Sequence, residues 1–403
     1  MLEGKTIVLG VTGSIAAYKA VDIASQLTKA GATVNVVMTK AAREFVTPFT
    51  FRTITHRPVI TEMFDIDSED SVEHVALAEK ADAVLIAPAT ATTIARLAIG
   101  SAEDMLSAIV LATRAPVVLA PAMNVNMYEA AVTRQNLKAL KDRGFTIVEP
   151  DYGRLASGAM GRGRLPDLAV ILGTLRQTMG RNGDLAGRKV VVSAGGTHEA
   201  IDPVRVITNR SSGKMGYAIA EAARDRGADV VLVTAPTHLP KPVGIVVAPV
   251  MTTMEMRDAI LAAVSGADAL IMAAAPADFR VRQAAGQKIK KEKGSDSLIL
   301  ELVKNPDILA EAQGDFVKVG FAAESEDLVA NAREKLAGKN CDLFVANDIT
   351  AADAGFAVDT NRVVLIERNG AMTHVPLLLK AQVAERILDK VVELLAKRRP
   401  LVV

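Results

Sequence analysis

The stretch SAGGTHEAIDPVRVITNRSSGKMGY (residues 193–217) is the part of the sequence on which the interpretation of the fold depends. The β-rich run KVVVSAGG (189–196) leads into it, and an alanine-rich helical pattern follows it. Between strand and helix lies a long polar loop that contains Arg205, Asn209 and the segment SSGK (211–214). Open α/β sheets hold anionic ligands at such loops, because backbone N–H groups at the helix start face the ligand. The stretch therefore predicts a strand–loop–helix unit that binds an anion.

The segment SSGK is similar to the end of a Walker A phosphate loop, but the rest of that motif does not match. Met215 replaces the required Ser or Thr, and Thr208 stands where the first glycine would be. An ordinary phosphate loop is therefore not predicted. A solvated connection with a capped helix is the alternative interpretation.

The composition favours a large α/β protein. Half of the 403 residues are apolar, only 3% are aromatic and Trp is absent, so the core must consist of Ala, Val, Ile and Leu. Such a core suits parallel sheets flanked by helices, and the length suits two or three domains. The formal charge of +1 gives no indication of a nucleic acid or an anionic membrane as partner.

The cysteine content and the N-terminus predict a cytoplasmic protein. Cys341 is the single cysteine, which excludes an intramolecular disulfide and a cysteine-based metal cluster and fits a reducing compartment. The N-terminal MLEGKTIVLG has an acidic residue and continues directly into a strand, unlike a signal peptide. No uncharged apolar run is long enough to span a bilayer.

Strands and helices alternate along the first part of the chain. Residues 6–39 have the pattern strand, glycine turn, helix and strand, and further apolar strands are predicted at 81–90, 114–124 and 145–150. This alternation predicts a mostly parallel, doubly wound sheet. The run DYGRLASGAMGRGRLPD (151–167) has no useful periodicity and is predicted to be a mobile, basic loop.

The same pattern restarts in the second part. We predict an α/β fold of two Rossmann-like doubly wound domains, at 1–180 and 189–403, joined by a linker at 181–188. The turn Asn369-Gly370 between two apolar runs predicts a hairpin, which is an antiparallel addition to the second sheet. Its strands are predicted at 266–279, 316–325 and 341–348, and a closing helix at 382–397.

Small polar groups follow several strands of the first domain. Gly13 and Ser14 lie between a strand and a helix, where backbone N–H groups could hold a phosphate; a plain tight turn is equally compatible with them. Thr39, Pro88-Ala89-Thr90 and Ser107 add small groups at the carboxyl ends of strands, where ligands bind in such sheets.

Other candidates are single residues. His74 lies on an apolar helical pattern, where a lone histidine is more often packed or solvated than catalytic. Asn124 stands between two methionines, and a buried amide must find partners, which suggests a ligand contact. A lysine run that begins at Lys288 follows Asp278 at the end of an apolar strand, and this fits a nucleotide triphosphate with a divalent ion.

Taken together, these motifs resemble those of one enzyme family over essentially the whole chain. The chain is similar to the bifunctional coenzyme A biosynthesis enzymes, which fuse a phosphopantothenoylcysteine decarboxylase to a phosphopantothenate:cysteine ligase. The matching segments are GSIAAYK (13–19), His74, APATA (87–91), PAMNVNMY (121–128), ASGAMGRGR (156–164), GGTHEAIDPVRVITNRSSGKMG (195–216), AAAPADF (273–279), KIKK (288–291), KNPDI (304–308), GFAAE (320–324) and AND (346–348).

The resemblance implies an FMN-dependent decarboxylase with a flavodoxin-like sheet in the first domain. In the family, oxidation of the cysteinyl thiol end to a thioaldehyde makes the loss of CO2 easy, and the reduced flavin then returns the electrons. By motif match, His74 is the catalytic histidine and Asn124 holds the substrate carboxylate. The implied flavin contacts are Gly13, Ser14, Ile15, Thr39, Pro88, Ala89, Thr90 and Ser107.

For the second domain, the resemblance implies a ligase that uses CTP and Mg²⁺. CTP activates the carboxylate of 4'-phosphopantothenate as an acyl-cytidylate, and the amine of cysteine displaces CMP. Asn209 is implied to handle the acyl-cytidylate, and Lys288 to be both catalytic and a CTP contact. The other implied CTP contacts are Ala273, Ala274, Asp278, Pro306, Asp307, Ile308, Leu309, Phe321, Lys335 and Lys339. The residues do not indicate the ligands of the metal ion.

Two positions depart from the family pattern. Ser157 stands where the family often carries a cysteine that donates a proton in the final reduction, and a hydroxyl is a far weaker acid than a thiol. Glu103-Asp104 stands where Asn-Asp is expected. The first departure motivates an alternative, in which the first domain is a flavin-binding oligomerisation or regulatory module and only the ligase is active.

The resemblance also bears on assembly and on a third hypothesis. It implies a homo-oligomer, a dodecamer in which trimers form around the flavin sites and ligase domains pair as dimers. An NAD-linked dehydrogenase on two Rossmann-like domains is the third hypothesis, but the chain lacks the glycine fingerprint of that class.

Overall fold

The structure is a computed structural model that describes residues 2–63, 73–290, 297–324, 328–348 and 358–398. The chain divides into two compact units, Met1–Gly180 and Arg181–Val403. Each described hydrophobic core cluster consists of residues from one unit.

The first unit alternates strands and helices from its start. Its elements, in chain order, are β1 (Thr6–Val11), α1 (Ala17–Lys29), β2 (Thr33–Met38), a 3-10 helix (Lys40–Glu44), α2 (Pro48–Thr55), β3 (Val59–Ile60), α3 (Glu73–Lys80), β4 (Ala83–Ala89), α4 (Ala91–Ile99), α5 (Met105–Ala112), β5 (Val117–Pro121), α6 (Val125–Glu129), α7 (Ala131–Asp142), β6 (Thr146–Ile147), β7 (Asp151–Arg154), β8 (Met160–Arg164) and α8 (Leu168–Met179).

Its main sheet has six parallel strands in the order β3-β2-β1-β4-β5-β6, which confirms the predicted doubly wound sheet. Each central strand is apolar on both faces. In β1, Ile7 and Leu9 belong to one buried cluster and Val8 to another. The chain reverses its winding direction between β1 and β4, and in such sheets ligands bind at the carboxyl ends of the strands at this switch point.

The prediction of an irregular loop at 151–167 is wrong, because β7 and β8 in this segment form an antiparallel hairpin. Along β8, the glycines are buried and the side chains of Met160, Arg162 and Arg164 are exposed. A Cβ at Gly161 would lie 2.5 Å from Val125 Cγ2, so the hairpin packs closely on the start of α6. Glycine is here the inward residue of an alternating strand, which hydrophobicity alone does not reveal.

The second unit repeats the alternation. Its elements are β9 (Lys189–Ala194), β10 (His198–Ala200), β11 (Val206–Thr208), α9 (Lys214–Asp225), β12 (Asp229–Thr234), β13 (Val246–Pro249), α10 (Thr253–Ala263), β14 (Ala269–Met272), β15 (Phe279–Val281), β16 (Leu302–Lys304), α11 (Ile308–Glu311), β17 (Val317–Glu324), α12 (Leu328–Gly338), β18 (Leu343–Asp348), β19 (Thr360–Glu367), β20 (Met372–Leu379) and α13 (Lys380–Arg398).

Its sheet has eight strands in the order β13-β12-β9-β14-β17-β18-β19-β20. The strands pair in parallel as far as β18, and β19 and β20 are antiparallel. The predicted hairpin at Asn369-Gly370 and its antiparallel addition to the sheet are therefore confirmed. Two small hairpins, β10–β11 and β15–β16, lie outside the main sheet.

Within the described ranges, no helix combines the length and the apolar character that crossing a membrane requires. The thiol of Cys341 is buried, and this burial raises its pKa to about 11.

Candidate functional sites

A cavity of about 1000 Å³ lies in the first unit at the carboxyl ends of β1, β2, β4 and β5. Seven of the residues singled out from the sequence line it: Gly13, Ser14, Ile15, Thr39, Thr90, Asn124 and Ser157. Its described lining contains five basic side chains against two acidic ones: Lys19, Lys40, Arg96, Arg154 and Arg164 against Glu44 and Asp104. The size and the charge of the cavity suit an organic anion.

A buried hydroxyl joins the two strand ends at the switch point. Thr12 Oγ1 donates to the carbonyl of Pro88 (2.7 Å) and accepts from the N–H of Thr90 (3.0 Å). Thr12 thereby fixes the loop after β4 against the end of β1. The sequence interpretation missed this residue, although a hydroxyl directly after an apolar strand was the available signal.

The loop after β1 lies directly against the 3-10 helix that follows β2. A Cβ at Gly13 would lie 2.4 Å from Ala41 Cβ, so a larger residue does not fit there. Thr39 caps this 3-10 helix by accepting from the N–H of Ala42 (3.3 Å), and Thr90 caps α4 by accepting from the N–H of Thr93 (3.4 Å). Backbone and hydroxyl groups therefore surround this end of the cavity, as binding of a phosphorylated cofactor requires.

Pro88, Ala89 and Ser107 are buried beneath the cavity and do not line it. The hydroxyl of Ser107 and the carboxylate of Asp104 form a capping box at the start of α5. Asp104 also accepts from Arg96 at 2.7 Å, and both of these side chains line the cavity. The flavin contacts inferred for the three buried positions remain predictions.

The structure brings Asn124 and Ser157 together from distant parts of the sequence. Asn124 caps α6 through its Oδ1, which accepts from the N–H of Asn126 (2.9 Å). Its Nδ2 donates to Ser157 Oγ (3.1 Å), which lies in the turn between β7 and β8. The hairpin is held there because the N–H of Met123 donates to the carbonyl of Gly163 (2.9 Å).

His74 lies in α3, as the sequence predicts, and is half-buried. It is not among the described residues that line the cavity. Residues 64–72, which precede its helix, are outside the described ranges. Its catalytic role stays a prediction.

A smaller pocket of about 270 Å³ lies in the second unit between the N-terminus of α9 and the carboxyl ends of β14, β17 and β18. Five of the predicted CTP contacts line it: Ala273, Ala274, Asp278, Phe321 and Lys335. Asn209 lies beside it, with Nδ2 donating to the carbonyls of Ala275 (3.2 Å) and Pro276 (3.0 Å). Lys288 is exposed and does not line this pocket.

Apart from Lys288, the other predicted CTP contacts form a neighbouring cluster. Asp307 caps α11 and forms an ion pair with Lys339 (3.2 Å), while the carbonyl of Leu309 accepts from the buried ammonium of Lys318 (3.0 Å). Burial lowers the pKa of that ammonium. Asn305 links the cluster to the pocket, because its N–H donates to the carbonyl of Asp278 (2.8 Å). Pro306 and Ile308 belong to the same segment.

Four residues with a basic or amide side chain that line the small pocket were not assigned a role of their own from the sequence: Lys214, Asn347, Asn361 and Lys380. Lys214 pairs with Asp359 (2.7 Å), and the buried ammonium of Lys380 donates to the carbonyl of Val358 (2.5 Å). Burial, reinforced by the charge of Lys214, lowers the pKa of Lys380 to about 8.

Asn347 is the most informative of the four. The residue is 9% exposed, and within the described part of the chain its Oδ1 has no hydrogen-bond partner. Buried polar atoms are almost always paired, so this oxygen is a candidate acceptor for a donor from a ligand or from water. The signal in the sequence was the segment AND (346–348), which ends an apolar strand.

Two different protein families match the chain, one in each unit. The family described as "Flavoprotein" matches residues 1–180, and the family described as "DNA/pantothenate metabolism flavoprotein C-terminal domain" matches residues 185–395. A solved C-terminal domain of a coenzyme A biosynthesis bifunctional protein CoaBC is 35% identical to this chain. That match covers 53% of this chain and 99% of the solved one, with a TM-score of 0.46.

Curated relatives extend over nearly the full length. The coenzyme A biosynthesis bifunctional protein CoaBC of Vibrio cholerae is 43% identical over 97% of this chain and 99% of its own. The proteins of the same name from Bacillus subtilis (42% identical, 98% of each chain) and Escherichia coli K12 (43% identical, 97% of each chain) match similarly. The chain therefore belongs to the family of bifunctional coenzyme A biosynthesis proteins.

Proposed function

We propose that this protein catalyses two consecutive steps of coenzyme A biosynthesis. The second unit joins 4'-phosphopantothenate to cysteine at the expense of CTP, and the first unit decarboxylates the product, 4'-phosphopantothenoylcysteine, to 4'-phosphopantetheine. The observation that carries the proposal is the presence of one site in each unit at the carboxyl ends of its strands, combined with 43% identity to a bifunctional relative over 97% of the chain. The decarboxylase then occupies residues 1–180, the linker 181–188 and the ligase 189–403.

In the first unit, the cavity fits FMN. The close approach at Gly13 and the capped helix starts beside it suit a phosphate, and the basic side chains in the lining supply positive charge. When bound, the flavin would take two electrons from the substrate thiol carbon and later return them. Asn124 would hold the substrate carboxylate through Nδ2, and His74 would handle the proton of the thiol. Ser157 accepts a hydrogen bond from Asn124, so its own O–H remains available to donate towards the substrate.

In the second unit, the positive charge suits a nucleotide triphosphate. Lys214, Lys335 and Lys380 line the pocket at the N-terminus of α9. The substrate carboxylate attacks the α-phosphate of CTP and pyrophosphate leaves; the cysteine amine then displaces CMP from the acyl-cytidylate. Lysine side chains, with Lys288 among them, neutralise the charge that develops on the phosphates. Asn209 would orient the activated acyl group.

The proposed metal ion is Mg²⁺ bound chiefly by the nucleotide. In the described ranges, no group of three His, Cys, Asp or Glu side chains could hold a metal ion. Mg²⁺ is typically held by substrate phosphates, water and one or two carboxylates. Asp278, which lines the pocket, is the carboxylate that fits this role. We further propose a homo-oligomeric assembly, a dodecamer, that works in the cytoplasm.

A coupled assay tests the function. Purified protein is incubated with 4'-phosphopantothenate, cysteine, CTP and Mg²⁺, and both products are followed by mass spectrometry. We expect 4'-phosphopantetheine to form. Asn209→Asp and Lys288→Gln should abolish ligation and leave decarboxylation of added 4'-phosphopantothenoylcysteine intact, and His74→Asn should do the reverse. If each variant damaged both half-reactions, the assignment of one activity to each unit would be wrong.

The same assay addresses the alternative raised by Ser157. Accumulation of 4'-phosphopantothenoylcysteine by wild-type protein that contains stoichiometric flavin would favour a ligase with a non-catalytic flavin module. Purification of a colourless protein that binds NAD would favour the dehydrogenase hypothesis over both.

A further inference from the structure

The hairpin β10–β11 has a tip, residues 201–205, that is organised around one buried carboxylate. The side chain of Asp202 is fully buried. Its Oδ1 accepts from the N–H groups of Val204 (2.9 Å) and Arg205 (2.8 Å), and its Oδ2 accepts from Arg205 Nε (2.9 Å) and Nη2 (2.5 Å). Such charge-assisted bonds fix both the carboxylate and the guanidinium in space.

The same two side chains hold the chain segment that contains Lys288. The N–H of Ile289 donates to Asp202 Oδ2 (3.1 Å), and the carbonyl of Ile289 accepts from Arg205 Nη2 (3.1 Å). A further bond joins the N–H of Ala285 to the carbonyl of Ile201 (2.9 Å). The backbone N–H and the carbonyl of Ile289, the residue after Lys288, are therefore both held by side chains of the hairpin tip.

The opposite end of this hairpin carries Asn209. Strand β11 pairs with β10 from Val206 to Thr208, and Asn209 follows directly. Its amide is anchored to the carbonyls of Ala275 and Pro276 at the pocket. The hairpin thus connects the two residues that the proposed ligase uses, with Asn209 at one end and the Lys288 segment at the other.

We propose that Asp202 is the positioning residue for Lys288: by holding the amide of Ile289 and the guanidinium of Arg205, it sets where the Lys288 ammonium meets the nucleotide. The inference rests on the proposed ligase function. Lys288 is exposed, so its own side chain has little packing to orient it. The hydrogen bonds from Arg205, together with those from backbone N–H groups, hold the pKa of Asp202 well below its usual range, so the carboxylate stays charged.

The test compares CTP binding by calorimetry in four full-length proteins: wild type, Asp202→Asn, Lys288→Gln and the double variant. Asp202→Asn removes the negative charge that pairs with Arg205. It also places an NH2 group opposite an N–H donor, so one of the hydrogen bonds is lost. We expect each single variant to weaken CTP binding by about tenfold, and the double variant to be no more than about twofold weaker than either. Such non-additivity is expected if Asp202 acts through Lys288. If Asp202 had only a structural role, the two losses of affinity would multiply in the double variant.

Asp268→Asn is the matched control. Asp268 also accepts from an arginine, Arg188 (2.9 Å), and from a backbone N–H, that of Lys189 (2.9 Å), but at the amino end of β9. It should lower thermal stability and leave CTP affinity unchanged. If Asp202→Asn fails to fold, Ile289→Pro removes the amide donor and leaves the Asp202–Arg205 pair intact, with Ile289→Ala as its own control. Ile289→Pro should then reproduce the loss of affinity.

Two outcomes would overturn the inference: wild-type CTP affinity in Asp202→Asn or in Ile289→Pro, or a double variant whose loss equals the product of the two single losses. Wild-type protein that neither binds CTP nor ligates would overturn the proposed ligase function instead, so the two failures are distinguishable.

Discussion

The hydrogen bond between Asn124 and Ser157 determines where the proton of the serine hydroxyl can point. Because Asn124 donates to Ser157 Oγ at 3.1 Å, the serine O–H points elsewhere. Sequence comparison could identify both residues but not their contact, because 33 residues separate them and the hairpin that closes the gap was not predicted.

Ser157→Cys should accelerate the final proton-coupled step of decarboxylation. A thiol is a much stronger acid than an aliphatic hydroxyl, so proton donation improves by an order of magnitude or more. The measurement is rapid-mixing absorbance of the flavin with 4'-phosphopantothenoylcysteine, with Ser157→Ala as the control. A rate equal to wild type in both variants would mean that residue 157 is not the donor.

Asn347→Leu should weaken nucleotide binding without destabilising the fold. Among the described residues the buried Oδ1 has no hydrogen-bond partner, which costs roughly 1–3 kcal/mol in the ligand-free protein. Its removal should therefore leave the free energy of unfolding unchanged or increase it. CTP affinity should fall by about tenfold, because the ligand loses an acceptor. Chemical denaturation and calorimetry on the same samples provide the check. Unchanged affinity would remove Asn347 from the site.

Lys380 should make CTP binding sensitive to pH. Its lowered pKa, about 8, means that the ligand-free protein loses this charge as the pH rises through 8, and a triphosphate that needs the charge must then take up a proton. Affinity should fall between pH 7.5 and 9, and calorimetry in buffers of different ionisation enthalpy should show proton uptake. The hydrogen bond from Lys214 lowers the pKa of the nearby Asp359, so this carboxylate stays charged in this range. Lys380→Met should abolish the uptake.

The lowered pKa of Lys380 also affects the stability of the fold, which should rise with pH whereas CTP affinity falls. Between about 8 and the ordinary lysine value of 10.5, the unfolded chain binds this proton and the folded chain does not. Stability contributed by this group therefore rises across that window and is constant outside it. The difference in unfolding free energy between wild type and Lys380→Met should change in this window only.

At the scale of elements, glycine decides where the hairpin β7–β8 docks. Gly163 has φ +152°, and a Cβ there would lie 2.1 Å from the carbonyl oxygen of Met123. Sequence patterns predicted the parallel strands because long apolar runs identify them. They missed β7 and β8 because the buried positions of β8 carry no side chain and two of its three exposed positions are basic.

Gly163→Ala should displace the hairpin, weaken its contact with Asn124 and reduce decarboxylation by at least about tenfold. It should also lower the melting temperature by several degrees, because an added methyl group cannot be accommodated against backbone. Gly158→Ala, in the turn of the same hairpin, has φ +84° and no atom within 4 Å of an added Cβ. It serves as the control for backbone strain without a clash. Equal effects of the two variants would contradict the docking role of Gly163.

At the scale of the whole molecule, each unit has its own sheet and its own buried clusters. We expect residues 1–180 and 181–403, expressed separately, each to fold cooperatively and to retain one half-reaction. Scanning calorimetry and the two half-assays would check this. A fragment with native-like unfolding but no activity would mean that its site needs residues from elsewhere in the assembly.

The overall plan was predictable because alternating apolar runs and turn residues are local signals. The hydrogen bond between Asp202 and Ile289, 87 residues apart, depends on how distant segments meet. The same is true of the Asn347 oxygen, which has no partner in the part of the chain that the structure describes, and no local pattern encodes either feature. This is why the sequence could suggest Asn209 and Lys288 as candidates but could not show which groups hold them.

The burial of Cys341 has a practical consequence for labelling. With its pKa raised to about 11, only about one thiol in ten thousand is ionised at pH 7, and the sulfur is inaccessible to solvent. The chain contains no other cysteine. A cysteine introduced at the exposed position 157 would therefore be the one rapidly alkylated thiol of the protein, and a fluorophore attached there would report on the hairpin tip without any background substitution.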